Sequence, residues 1–345
     1  VIKPWLFEFF HQPLDPQRRS DPQAVHEHFR WYVDLWTRAD SRDFEGIFFS
    51  EHHFGAAYSP SPNLLISHVA AHTSRLRLGV LGSVTPYSTP WRIVEEIAML
   101  DHLTGGRLEI GVVSGIPPEL AVVGITAEDA ATRHTEVIDV LDAALRSPVI
   151  SHHGRHWNFD NLEILPRCLQ QPFPPVWTAV RSAESAERAG ARGWKACGGF
   201  VSAKEIAVVF DAYRRGAEEA GHPHGPEQIA VRRMVTFVDE PSQQRDAVNQ
   251  AKRALLDVLT ASAGPLPPWA ELLDRPDESI AALSDEEFVS GTPQQVAEQL
   301  IEHCQVIGAG HLLVAFSERN HDRLEASHEL FSNEVAPQLR AAKVS

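Results

Sequence analysis

Gly46-Ile47-Phe48-Phe49-Ser50-Glu51-His52-His53-Phe54 is the stretch that decides the fold. Its first four residues form an apolar run too short for a helix, and they read as a strand buried on both faces. The strand then runs out into a carboxylate and two imidazoles. Groups that titrate near neutrality, set at the C-terminal end of a core strand, are what an α/β barrel places at its mouth.

The same rhythm recurs on either side. Short apolar runs at 5–10, 46–50, 76–84, 107–113, 176–180, 195–200, 230–238 and 311–316 read as strands. Amphipathic segments at 25–40, 63–73, 93–103, 130–145, 183–192, 204–220, 293–307 and 323–342 read as helices. Eight strands, each followed by a helix, predict a (β/α)8 TIM barrel, one domain over residues 1–345. An open doubly wound sheet would leave two edges to protect. Two stretches break the alternation. Residues 151–166, with Gly154, Asn158 and Asn161 among β-type residues, predict a hairpin or ordered loop after the fourth helix. Residues 261–290, carrying Pro265, Pro267, Pro268 and Pro276, follow the seventh strand and read as a lid over the mouth or a surface excursion.

Composition narrows the class. A hydrophobic fraction of 43% and a charged fraction of 22% are those of a globular chain. No apolar run reaches the ~18 residues of a membrane span, and no basic leader precedes an apolar stretch. Three widely spaced cysteines, Cys168, Cys197 and Cys304, fit a reducing cytoplasm rather than a disulfide framework. A net charge of −15 argues against nucleic acid or an anionic membrane as partner.

Further motifs accompany the opening one. They are Arg75-Leu76-Arg77-Leu78-Gly79 leading to Val84-Thr85-Pro86, Glu95-Glu96, Leu100-Asp101, and Thr104-Gly105-Gly106-Arg107. Beyond them come Pro174-Pro175-Val176-Trp177, Ser182-Ala183-Glu184-Ser185-Ala186 and Gly291-Thr292-Pro293. As an ordered series covering most of the chain, they resemble the bacterial-luciferase-like flavin-dependent monooxygenases (the luciferase-like, or LLM-class, oxidoreductases).

That resemblance implies a flavin site. His52 would face the reactive edge of the isoalloxazine in an acid–base role, which suits an imidazole. Neighbouring strand residues point to opposite sides, so His53 falls outside the pocket, and Glu51 is an orienting partner or an interior carboxylate. A core histidine satisfied by hydrogen bonds is the plain alternative for either ring. In relatives a non-proline cis peptide lies where Leu81–Gly82 stands. Val113 and Ser114 replace a cysteine and an arginine of related chains. The phosphate falls to Arg181, Ser182 and Ser185, at a helix start where N–H groups and the dipole favour an anion. Ser182 is equally a good N-cap. Arg181, where the luciferase catalytic subunit has an acid, would pair with a phosphate. Trp177 and Trp194 could flank a ring, but core packing suits each better.

The implied chemistry is that of a two-component monooxygenase. Reduced FMN, delivered by a separate NAD(P)H:flavin reductase, would react with O2 through a C4a-hydroperoxyflavin to oxidise a small, mostly apolar organic substrate. No Gly-x-Gly-x-x-Gly opens a βαβ unit, which fits an external reductase. The relatives pair through helices that correspond to 63–73 and 93–103, so a homodimer is expected. Three alternatives stand beside this reading: a deazaflavin-dependent oxidoreductase, a flavin-binding protein without turnover, and a metal-dependent TIM-barrel hydrolase using His11, Glu51 and His52. The last lacks the His-x-His of such barrels, the first strand ending Phe9-Phe10-His11-Gln12-Pro13. The clusters His26/His28 and His152/His153/His156 also lack companion ligands, so no metal site is assigned.

Overall fold

The computed structural model describes residues 1–13, 15–54, 57–260 and 283–344. Its strands are β1 (Lys3–Glu8), β2 (Gly46–Phe49), β3 (Arg77–Val80), β4 (Ser83–Val84), β5 (Leu108–Val113), β6 (Val149–His153), β7 (Asn158–Glu163), β8 (Val176–Ala179), β9 (Lys195–Gly198), β10 (Ile229–Phe237), β11 (Phe288–Gly291) and β12 (His311–Phe316). Parallel pairing runs β1-β2-β3-β5-β8-β9-β10-β12 and returns from β12 to β1, closing a TIM barrel. Helices wrap its outside, so strands such as β2 and β12 are buried along their whole length.

Side-chain alternation divides two cores. Odd positions of β1 and even positions of β2 point inward. Trp5, Phe48, Trp177 and Leu313 close the floor of the barrel. Two polar bonds fix the indoles there: Trp5 Nε1 donates to His311 Nδ1 at 2.9 Å, and Trp177 Nε1 to Glu109 Oε2 at 2.6 Å. Trp177 is thus a floor residue. Trp194 is buried in the outer core between strands and helices.

All eight expected staves are present, with three departures. The run 76–84 divides into β3 and β4 at Leu81–Gly82, where the peptide bond is cis, and β4 pairs with β5. A helix at Gln244–Thr260 follows β10 directly, where no helix was expected. Of the supposed 261–290 insertion, residues 261–282, and with them the expected lid, lie outside the described residues. Its last part is not an insertion: Phe288–Gly291 is strand β11, paired in parallel with Met234–Phe237 of β10. β9 pairs only with the lower end of β10 (Ile229–Val231), so β11 completes the wall above it.

The hairpin is real. β6 and β7 pair antiparallel, and Glu136, on the helix Ala127–Arg146, accepts from the N–H groups of Arg155, His156 and Trp157. The expected last helix, 323–342, carries a π turn at Phe331–Val335 between His321–Leu330 and Ala336–Ala341. Pro337 lacks the N–H that a regular helix would bond there.

Candidate active site at the barrel mouth

The C-terminal strand ends bring the expected residues to one face, in two arcs. The first is β3, β4, β5 and β8. Gly82 packs against the β5 backbone: a Cβ there would lie 2.9 Å from Val112 N. Ser83 pairs with Val112 and Val84 with Val113, so the register sets Leu81–Gly82 against Ile110–Gly111 and leaves Val113 and Ser114 next to Val84 and Thr85. Leu81 is buried, Val113 half-buried and Ser114 exposed. After β8, the helix Ala183–Ala191 begins with a capping box. Ser182 Oγ accepts from Ser185 N, and Ser185 Oγ accepts from Ser182 N, both at 3.2 Å. Both hydroxyls therefore serve the helix itself. The exposed Arg181 forms no ion pair among the described residues, and its Cζ lies 5.1 Å from the Phe200 ring centroid.

His52 stands at the end of β2, where this arc meets the other. Its Nδ1–H donates to Glu119 Oε1 at 3.0 Å. Glu119 is 1% exposed, on the short helix Pro117–Val122 that follows β5. Bonding through Nδ1 fixes the ring and leaves Nε2 available for a further contact. The His52 ring stacks on Phe9, centroids 6.0 Å apart. Glu51 does not orient His52; it accepts from His53 Nε2 at 3.1 Å. The His53 ring instead packs edge-on against Tyr87, whose hydroxyl is buried without a partner. Burial, then the nearby Glu119 and Glu51, push that phenol's pKa up, so it stays a donor.

The second arc is β10, β11, β12 and β1. His11 stacks on Phe9 at 5.3 Å and is held neutral by burial, with Arg319, His52 and His28 adding to the effect. Arg232 reaches up from β10 beneath Phe7, Phe9 and Phe200 and pairs with Glu287. Among the described residues no three His, Cys, Asp or Glu side chains come together to hold a metal, and His11, Glu51 and His52 do not converge. Glu119, Tyr87, Arg232 and Glu287 were not expected from the sequence.

A barrel closed by these strands, with a carboxylate-held imidazole at the end of β2, defines a class. The chain belongs to the luciferase-like monooxygenase family, which it matches over residues 6–311. It is 33% identical to uncharacterized protein y4wF of Sinorhizobium fredii, over 84% of this chain and 86% of that protein. It is 27% identical to the oxygenase component of the flavin-dependent trigonelline monooxygenase of Acinetobacter baylyi, over 95% and 94%. In fold it is similar to the oxygenating constituent of 3,6-diketocamphane monooxygenase from Pseudomonas putida in complex with FMN. There the TM-score is 0.77 and the identity 19%, covering all of both chains. The same fold also occurs in F420-dependent enzymes. No described helix is long and apolar enough to cross a membrane.

Proposed function

We propose that this chain is the oxygenase component of a two-component system, binding reduced FMN and using O2 to oxidise a small, mostly apolar organic substrate. The observation that carries the reading is His52, anchored by the buried Glu119 beside the Leu81–Gly82 and Val113–Ser114 wall. The flavin would lie along the first arc, with its phosphate at Arg181 and the start of the Ser182–Ser185 turn. Among the described residues Arg181 has no carboxylate partner, and the N–H groups of Ala183 and Glu184 form no hydrogen bond. These groups fit an oxyanion. They also offset the absence of an arginine at Ser114.

When bound, the flavin supplies the electrons that activate oxygen. The chain's own part is positional: Glu119 holds the imidazole, His52 Nε2 would hold or pass a proton to a bound substrate, and the apolar wall would exclude water. A cytoplasmic reductase is the proposed partner. Leu64, Met99 and Leu103 are 71%, 54% and 57% exposed on the helices Pro62–Ala70 and Pro90–Leu103, an apolar surface that supports pairing into a homodimer.

Binding of reduced FMN and riboflavin to the chain and to Arg181→Gln tests the reading. We expect reduced FMN to reoxidise in air more slowly on the protein than free. Arg181→Gln should weaken FMN about tenfold while leaving riboflavin nearly unchanged. Equal loss for both overturns the phosphate assignment. Tight deazaflavin binding without FMN binding overturns the monooxygenase.

A further inference from the structure

The second arc of the mouth holds more positive charge than its own side chains neutralise. Arg232 is 4% exposed, Arg233 and Glu287 are both fully buried, and the two guanidiniums share that one carboxylate. Glu287 Oε2 also accepts from Phe200 N at 2.7 Å. Arg181 stands over the other side of the cluster, on the same Phe200 ring as Arg232. Among the described residues no second carboxylate pairs with either guanidinium. Burial pushes the Cys197 thiol up to about 12, and His303, which accepts from Arg233 Nε, is lowered to about 4 by burial and by Arg233 and so is neutral. Glu286, at the rim, bonds the Ala203 N–H.

Arg232 Nη1 is buried and has no hydrogen-bond partner. It is not alone. His11 Nδ1, Ser50 Oγ, Ser290 Oγ and Ser317 Oγ are also buried and unpartnered. Ser290 pairs with Thr236 beside β10, Ser50 and Ser317 follow directly on β2 and β12, and the His11 ring stacks on the inward Phe9. Each such group costs about 1–3 kcal/mol unless something meets it. They gather at the ends of the neighbouring strands β10, β11, β12, β1 and β2, where a ligand would meet them. Phe200, which covers the guanidinium, holds a left-handed backbone (φ 73°), a conformation a bulky side chain keeps only where its surroundings enforce it.

We propose that this arc is the substrate's subsite, and that the substrate carries a carboxylate seated on Arg232. A planar carboxylate matches the guanidinium fork and accepts from hydroxyl donors, while Phe7, Phe9 and Phe200 take the apolar body. A cation would meet the surplus positive charge, and the flavin's own phosphate is accommodated on the other arc. Phe9 touches both Arg232 and His52, so a substrate anchored on the first reaches the second. The subsite rests on the oxygenase reading for its role, but its binding is measurable without flavin.

The experiment titrates the full chain, free of flavin, with benzoate, phenylacetate and hexanoate and with their amides, following calorimetric heat and the melting temperature. At least one carboxylate should bind and raise the melting temperature while its amide does not. Arg232→Met should weaken that binding on the order of a hundredfold. Arg232→Lys, which keeps the charge and loses the fork, should fall between and serves if the methionine variant misfolds. FMN affinity of both variants should match the parent. Failure of every carboxylate to bind overturns the proposal, as does parent-like binding by both variants. Loss of FMN affinity in place of carboxylate affinity overturns it too, by assigning Arg232 to the cofactor. A parent that binds carboxylates but not FMN sinks the flavin reading and leaves the subsite standing.

Discussion

Glu119 lies 67 residues beyond His52 in the chain and reaches it only because β5 and β2 end at the same face. The contact makes a specific demand. Glu119→Gln keeps the shape and a hydrogen-bonding oxygen but removes the charge opposite the imidazole. Oxygen-coupled turnover with reduced FMN should then fall about ten- to a hundredfold, with melting temperature nearly unchanged. Unchanged turnover in a folded variant would strip the pair of its role. His52 was legible in the sequence because an imidazole ending an apolar strand is conspicuous. Glu119 was not, since its only sign is an acid behind Pro117-Pro118, which equally starts any helix. Arg232-Arg233 was the stronger missed clue: two adjacent charges inside the apolar run 230–238 must each find a partner in the interior.

Among the elements, the hairpin β6–β7 has its turn tied to the helix by a single carboxylate. Burial works to raise the pKa of Glu136. Bonds from His152 and from the N–H groups of His156, Trp157 and Arg155 outweigh it and hold the carboxyl below its ordinary range. Glu136→Ala leaves three backbone donors unmet, at a cost of roughly 2–4 kcal/mol confined to this element. Hydrogen exchange should quicken across 149–163 and stay unchanged in the barrel strands; uniform quickening would show the hairpin to be integral to the barrel. Its existence was readable from turn residues between β-type runs, but its anchor was not, being a glutamate on an otherwise ordinary amphipathic helix. β11 was obscured for another reason. It is four residues long and follows a proline-rich acidic stretch, so its apolar start, Phe288-Val289, carries no period of its own.

For the molecule as a whole, one buried polar cavity contributes to how stability changes with pH. It lies between β1, β12 and the outer helices and is lined by Glu8, His11, Tyr32, Glu318 and His328, among others. Burial raises Glu318 to about 7 and Glu8 to about 6, and lowers His328 to about 3. A carboxyl raised on folding binds its proton more tightly in the folded chain. Its contribution is therefore full below the ordinary value of 4.5 and is lost as pH rises through about 7. His328 acts in the other direction below 6.5, where the unfolded chain takes up the proton. Glu318→Gln should thus gain on the parent as pH rises from about 5 to about 8, by no more than about 3 kcal/mol. Melting temperatures measured across that range decide it: a constant difference between the two proteins would mean Glu318 is not held protonated.

The barrel itself was the most legible feature, since eight apolar runs leave little choice of architecture, whereas the filling of its ends depends on contacts between distant strands. The indoles of Trp5 and Trp177 at the floor carry a consequence of a different kind. With these side chains 1% and 0% exposed, the barrel is a vessel stoppered at one end. Under the proposed reading, a flavin and its substrate would then share one entrance at the opposite end, and a bound flavin would narrow the way for whatever follows it.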